Sequence, residues 1–221
     1  MYYFIILLTL VITLGSQAYI NHKYRQTKKI SSSKKISGVE VARKILDSNG
    51  LKKVKVMETQ GVLSDHYDPR GKTVYLSSDI YHNTSLASVS VASHECGHAL
   101  QDKEGYFFLR LRSSIVPLVN FASRAGYIII LIGMFMSLLD LLWIGIGLEF
   151  VILFFQLITL PVEFNASNRA LHQIVDLGLV DKKEQGQCRG MLTAAALTYV
   201  ASVATAILEI LRLVLIARRD D

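Results

Sequence analysis

The sequence predicts a mainly α-helical membrane protein carrying a small β-sheet. Three observations predict it. Residues 1–20, 115–160 and 191–216 are long apolar stretches, and the second is too long for a single span. Between the first two lies a segment of ordinary polarity with both helical and strand periodicities. The 221 residues are 51% hydrophobic, with mean hydropathy +0.36, high values for a water-soluble chain. The formal charge is +6, which in a globular protein could point to nucleic acid. Here the basic residues gather beside an apolar stretch, so a membrane surface explains them and no nucleic-acid partner is expected. Cys96 and Cys188, the two cysteines, give neither a disulfide framework nor a C-x-x-C metal site.

Residues 1–20 are apolar and uncharged, enough for an N-terminal transmembrane anchor. Ser16-Gln17-Ala18 resembles a signal-peptide cleavage site, but no basic residue precedes the apolar run, so an uncleaved anchor is expected. Lys23, Arg25, Lys28, Lys29, Lys34 and Lys35 follow it, in what reads as a basic linker over 21–38. The positive-inside rule then places the N-terminus outside and the following residues in the cytoplasm.

Residues 39–112 read as a compact domain. Val39, Ala42, Ile45 and Leu46 have helical spacing, ended by Asn49-Gly50. Residues 53–58 and 72–77 alternate as strands, separated by a turn-rich loop over 65–71. The second strand would be an edge, either an ordinary one or one that pairs with an extended peptide. His66 and Asp68 in the loop are expected to serve local contacts rather than a metal.

The motif that carries chemistry is His94-Glu95-Cys96-Gly97-His98, on a helix over 88–100. Histidines four apart on a helix stand roughly 40° apart, so both rings can reach one ion. Glu95 beside them suits a general base, and the chemistry of H-E-x-x-H is zinc-assisted hydrolysis. Small residues (Ser88, Ala92, Ser93, Gly97, Ala99) let this helix pack closely. Its polar trio would be costly to bury without partners.

A transmembrane hairpin over 113–160 is expected, with helices at about 115–139 and 141–160 turning at Asp140 near Trp143. Arg124 and Glu149 inside it should face protein or snorkel. The hairpin returns the chain to the side it left. Residues 161–190 would hold a new helix, with Pro161 in its first turn and Glu163 as third metal ligand, then a polar connection. His172, nine positions on, falls on the opposite side of that helix and is expected at the surface. The apolar helix over 191–217 either spans the bilayer or packs over the site. Glu209, Arg212, Arg218 and Arg219 with the charge rule favour incomplete crossing. If that helix covers the metal, Tyr199 is a candidate transition-state stabiliser; otherwise it is packing.

The chain resembles the YugP-like membrane zinc metallopeptidases over most of its length. The resemblance rests on Leu63-Ser64-Asp65-His66-Tyr67-Asp68-Pro69-Arg70, on Val91 through Gln101, and on Leu160-Pro161-Val162-Glu163-Phe164-Asn165-Ala166-Ser167-Asn168-Arg169-Ala170-Leu171. More distantly it is similar to HtpX-like and CAAX-processing membrane proteases, whose zinc-binding Glu lies in a pattern like E-x-x-A-D. Here Ser167 stands where that acid would, and Asn165 is the nearby side chain that could replace it as partner of a zinc histidine. The resemblance implies a zincin-like, gluzincin-type metallopeptidase domain joined to transmembrane helices.

The expectation is a multi-pass cell-membrane zinc endopeptidase, with its active site on the cytoplasmic side. His94, His98 and Glu163 would hold one Zn2+ per chain, with Glu95 as base. Its partners would be the lipid bilayer and a peptide or membrane-protein substrate. An intramembrane protease would instead bury the histidines in an apolar span. A zinc-stabilised scaffold without catalysis would close the site with a fourth ligand, for which Cys188 is the open candidate.

Overall fold

The computed structural model describes residues 2–218; Met1 of the expected anchor and Arg219 of the basic C-terminus lie outside the described residues. In chain order the elements are α1 (Tyr2–Lys28), α2 (Gly38–Ser48), β1 (Lys55–Thr59), β2 (His66–Asp68), β3 (Thr73–Ser77), α3 (Ser78–His82), α4 (Leu86–Lys103), α5 (Phe107–Phe135), α6 (Leu139–Asp176) and α7 (Lys182–Ala217). They form two compact units.

The first unit contains α1 up to Gln17, Phe107–Pro161, and α7 from Leu197. α1, α5, α6 and α7 are each long and apolar enough to cross a membrane. The hairpin does not turn at Asp140. α5 ends at Phe135, Ser137 takes a left-handed φ of 55°, and the Leu138 amide bonds to the Gly133 carbonyl. Asp140 lies instead in the first turn of α6, where its charge opposes the positive helix end. Close packing follows the glycines: a Cβ at Gly133 would lie 3.0 Å from the Leu142 amide nitrogen. Leu142, Ile146, Ile210, Leu213 and Ala217 form this unit's buried cluster. Tyr2 Oη donates to the Leu215 carbonyl at 2.8 Å. Charge counting argued that the last apolar helix stops short of crossing. α7 nevertheless has the length and composition of a span. Glu209 and Arg212 pair with each other three residues apart, and this pairing lowers the cost of carrying both in an apolar helix.

The second unit comprises Ala18–Tyr106 and Val162–Ala196. Its sheet has the order β1-β3-β2, with β1 parallel and β2 antiparallel to β3. β3 is therefore the central strand, not the edge expected from sequence. The missed partner is β2, three residues inside the turn-rich loop, too short and too polar to read as a strand. Val74 and Leu76 of β3 are fully buried, against a core shared with Val41, Ile45 and Leu46 of α2. Tyr67 Oη donates to Asp102 Oδ2 at 2.6 Å, tying β2 to α4.

The expected basic linker is largely structured. Residues 21–28 continue α1, with Tyr24 and Thr27 buried. Tyr24 Oη donates to Asp79 Oδ2 at 2.8 Å and Lys28 Nζ lies 2.7 Å from the same oxygen. Beyond α1, the Ser32 amide donates to the Thr84 carbonyl (2.8 Å) and the Leu86 amide to the Ile30 carbonyl (2.9 Å). Ser33 donates to Glu184 through both its amide (2.8 Å) and its hydroxyl (2.7 Å).

Two helix boundaries differ from expectation in a way that shapes the site. No new helix starts at Pro161. α6 runs unbroken through it, so the apolar segment and Glu163 share one helix. A proline inside a helix forfeits one backbone hydrogen bond, which a helix of 38 residues absorbs. α7 begins at Lys182, within the expected polar connection, because Glu184 folds back to accept from the Asp181 amide at 2.8 Å and caps it.

Candidate metal centre

α4 begins at Ser85, whose hydroxyl accepts from the Ser88 amide at 3.1 Å, and ends where Gly105 takes a left-handed φ of 66°. Ser88, Ala92, Ser93, Cys96, Gly97 and Ala99 are buried along it. This small-residue surface lets a second helix approach closely. At Gly97 the approach is backbone to backbone: a Cβ there would lie 2.5 Å from the Ala166 carbonyl oxygen of α6.

That approach sets Glu163 opposite the histidine pair. His94 Nε2 lies 3.2 Å, and His98 Nε2 3.6 Å, from Glu163 Oε2. The imidazole centroids are 4.8 Å apart with planes at 86°. One donor atom from each of the three residues falls within 4.8 Å of the others, and the group could hold a metal ion. The Glu163 side chain is 2% exposed. Burial alone would raise its carboxyl pKa, but hydrogen bonds from His94 and His98 outweigh it and hold the carboxyl well below the usual carboxylate range. Glu95, the next residue on α4, is buried.

The far ring atoms are also engaged. His98 Nδ1 lies 3.0 Å from Gln101 Oε1, and His94 Nδ1 lies 3.2 Å from Ser167 Oγ. Thus Ser167 itself partners a histidine. Asn165, expected as its replacement, meets Gln101 instead (3.0 Å). Sequence reasoning missed Gln101, although its position three residues after His98 puts it on the same helix face. With Nδ1 of each ring taken by protein and Nε2 turned toward a buried carboxylate, the donor set fits a zinc ion with three protein ligands.

Among the described residues no other His, Cys, Asp or Glu joins this group. Cys96 Sγ faces the Ala42 carbonyl at 3.7 Å, and Cys188 is buried beside Ser90. A closing fourth ligand, which the scaffold reading needs, is therefore not supplied by Cys188. α4 is not among the four apolar helices, contrary to what an intramembrane site requires. His66 stacks on Tyr75 (centroids 4.8 Å apart), and Asp68 accepts from the Arg70 and Gly71 amides. His172 is exposed on α6. Tyr199 lies on α7 in the first unit.

Comparison with known proteins agrees with this geometry. Residues 2–218 match the family described as "putative neutral zinc metallopeptidase". The chain is 44% identical over 216 residues to the "putative membrane protease YugP" of Bacillus subtilis (strain 168), covering 98% of this chain and 96% of that protein. No solved structure matches. The match runs nearly end to end, through the histidine pair, Glu163 and all four apolar helices, so the chain belongs to the neutral zinc metallopeptidase family, as a YugP-like peptide hydrolase of the membrane.

Proposed function

We propose that this protein is a membrane-bound zinc endopeptidase that cuts membrane or membrane-associated proteins. One zinc per chain would be held by His94, His98 and Glu163. The observation that carries the reading is the convergence of both Nε2 atoms on a buried carboxylate with Glu95 next in sequence. When bound, zinc supplies Lewis acidity, acidifying water and polarising a peptide carbonyl. Glu95 accepts a proton from the attacking water and delivers it to the departing amine nitrogen as the C–N bond breaks. Glu163 would contribute negative charge to the ion as its third protein ligand.

The basic residues that follow the apolar part of α1 support a cytoplasmic position for the second unit. The continuity of α6 from apolar segment to Glu163 supports substrates presented at the bilayer surface. The test is metal content and proteolysis of the detergent-purified full chain, wild type beside Glu95→Gln. Both proteins should keep one zinc per chain. Glu95→Gln should abolish cleavage of an unfolded membrane protein. Zinc binding without cleavage by the wild type would move the protein out of the peptidase reading.

A further inference from the structure

Two opposite charges lie at one depth in the apolar hairpin of the first unit. At about 1.5 Å per residue, Arg124 is some 16 Å along α5 from Phe135, and Glu149 some 15 Å along α6 from Leu139. Glycines set the register of these two helices. A Cβ at Gly126 would lie 3.3 Å from Leu148 Cβ, one at Gly145 would meet the Ile130 side chain, and one at Gly133 would meet the Leu142 backbone. The contacts run antiparallel, so Arg124 and Glu149 stand level with each other. With the turn at one surface, about 15 Å is the middle of a hydrocarbon layer about 30 Å thick. Neither side chain can snorkel to water from there.

They do not pair within the chain. Gly126 turns its side of α5 toward α6. Arg124 precedes it by two residues, roughly 200° around the helix, so it points away from α6 and is exposed. Asn120, one turn earlier, is exposed on the same side, and the two border a shallow hollow of about 460 Å³ with Phe121, Ala125 and Ile128. Glu149 is partly buried on α6 and is repelled by Glu209 of α7. Glu209 has a cation of its own, Arg212. Among the described residues, no ion pair reaches Arg124 or Glu149.

We infer that two copies of this chain form a symmetric dimer in the membrane, joined by reciprocal ion pairs between Arg124 of one copy and Glu149 of the other. An unpaired charge at mid-bilayer is costly and turns to protein rather than lipid. A single neighbour answers both charges only if it carries an anion and a cation at that depth, and this hairpin carries both. A two-fold axis along the bilayer normal keeps every residue at its own depth. It therefore sets the Arg124 of each copy level with the Glu149 of the other, and two pairs form at once. Opposite charges attract most strongly where water is excluded. Asn120 lies beside Arg124 on the same face and adds an amide that can hydrogen-bond across the contact. All these residues belong to the first unit, so the dimer stands or falls apart from the metal centre and the peptidase reading.

The test is sedimentation equilibrium of the full chain in density-matched detergent, for wild type, Arg124→Glu, Glu149→Arg and the double reversal. The wild type should associate as a dimer. Each single reversal sets like charges against each other at both pairs and should weaken association at least about tenfold. The double reversal restores opposite charges and should return association to within about threefold of wild type. If a single reversal fails to fold, cross-linking decides. Arg124→Cys copies mixed with Glu149→Cys copies retain one native pair in each mixed dimer. A short bismaleimide should join the two kinds of copy to each other rather than Arg124→Cys copies among themselves. Cys96 and Cys188 are buried and stay out of the reaction. A monomeric wild type overturns the inference. So does a dimer that the single reversals leave unchanged, one that the double reversal fails to restore, or cross-linking confined to like copies.

Discussion

Adding one methyl group at Gly97 should disable the metal centre. In Gly97→Ala the new carbon would sit 2.5 Å from the Ala166 oxygen, 3.1 Å from its carbonyl carbon and 3.2 Å from its Cα. All three are backbone atoms, so no side chain can swing away. Carbon-to-oxygen contacts normally begin at about 3.3 Å, so α4 and α6 must part by nearly 1 Å. A zinc site tolerates ligand distances only to about 0.2 Å. Glu163 lies three residues before Ala166 and moves with it. Overpacking of this kind costs about 1–3 kcal/mol, equivalent to roughly 5–150-fold in an equilibrium constant. Zinc affinity, measured by chelator competition, should therefore fall by roughly 5–150-fold, and the melting temperature should fall with it. The control is Gly186→Ala on α7, where nothing lies within 4 Å of the added carbon. There the gain in helix propensity should stabilise by up to about 1 kcal/mol. A Gly97→Ala protein that binds zinc as the wild type does, and melts no lower than Gly186→Ala, would refute the close-approach argument.

Glu163→Ala should weaken zinc more than the roughly 10–100-fold typical of losing an outer hydrogen-bond partner, while Cys188→Ala leaves zinc affinity unchanged in the same titration. Glu104→Gln should show a pH-dependent cost in thermal melts. Hydrogen bonds from Arg169 hold the Glu104 carboxyl below its ordinary value, so its stabilising contribution is complete above the unfolded-state carboxylate range and is lost as pH falls through the lower folded-state value. Because the Glu104 side chain is 55% exposed, the neutral-pH difference should stay below about 1 kcal/mol, and the wild-type and variant melts should converge in acid.

The apolar stretches, the α2 periodicity and the His94–His98 spacing were legible because each is a local pattern. Glu163 was also legible, because a hairpin must return the chain to the face it left. What escaped was decided by tertiary contact. β2 has only three residues, and it exists because β3 offers it an edge. Pro161 carries the usual mark of a helix start, yet α6 passes through it. The helix continues on both sides and loses only one hydrogen bond there. Gln101 looked like one more polar residue at a helix end. Its role depends on Val162 and Asn165, about sixty positions away in the chain.

Glu184 does two jobs with one carboxylate. It caps the start of α7 by accepting from the Asp181 amide, and it also accepts from the Ser33 amide and hydroxyl in the segment that follows α1. The beginning of one helix and the path of a distant stretch of chain therefore open together or not at all. In Glu184→Ala the amides of Ser33 and Asp181 should exchange with solvent faster in step, whereas independent exchange would show the two contacts to be uncoupled.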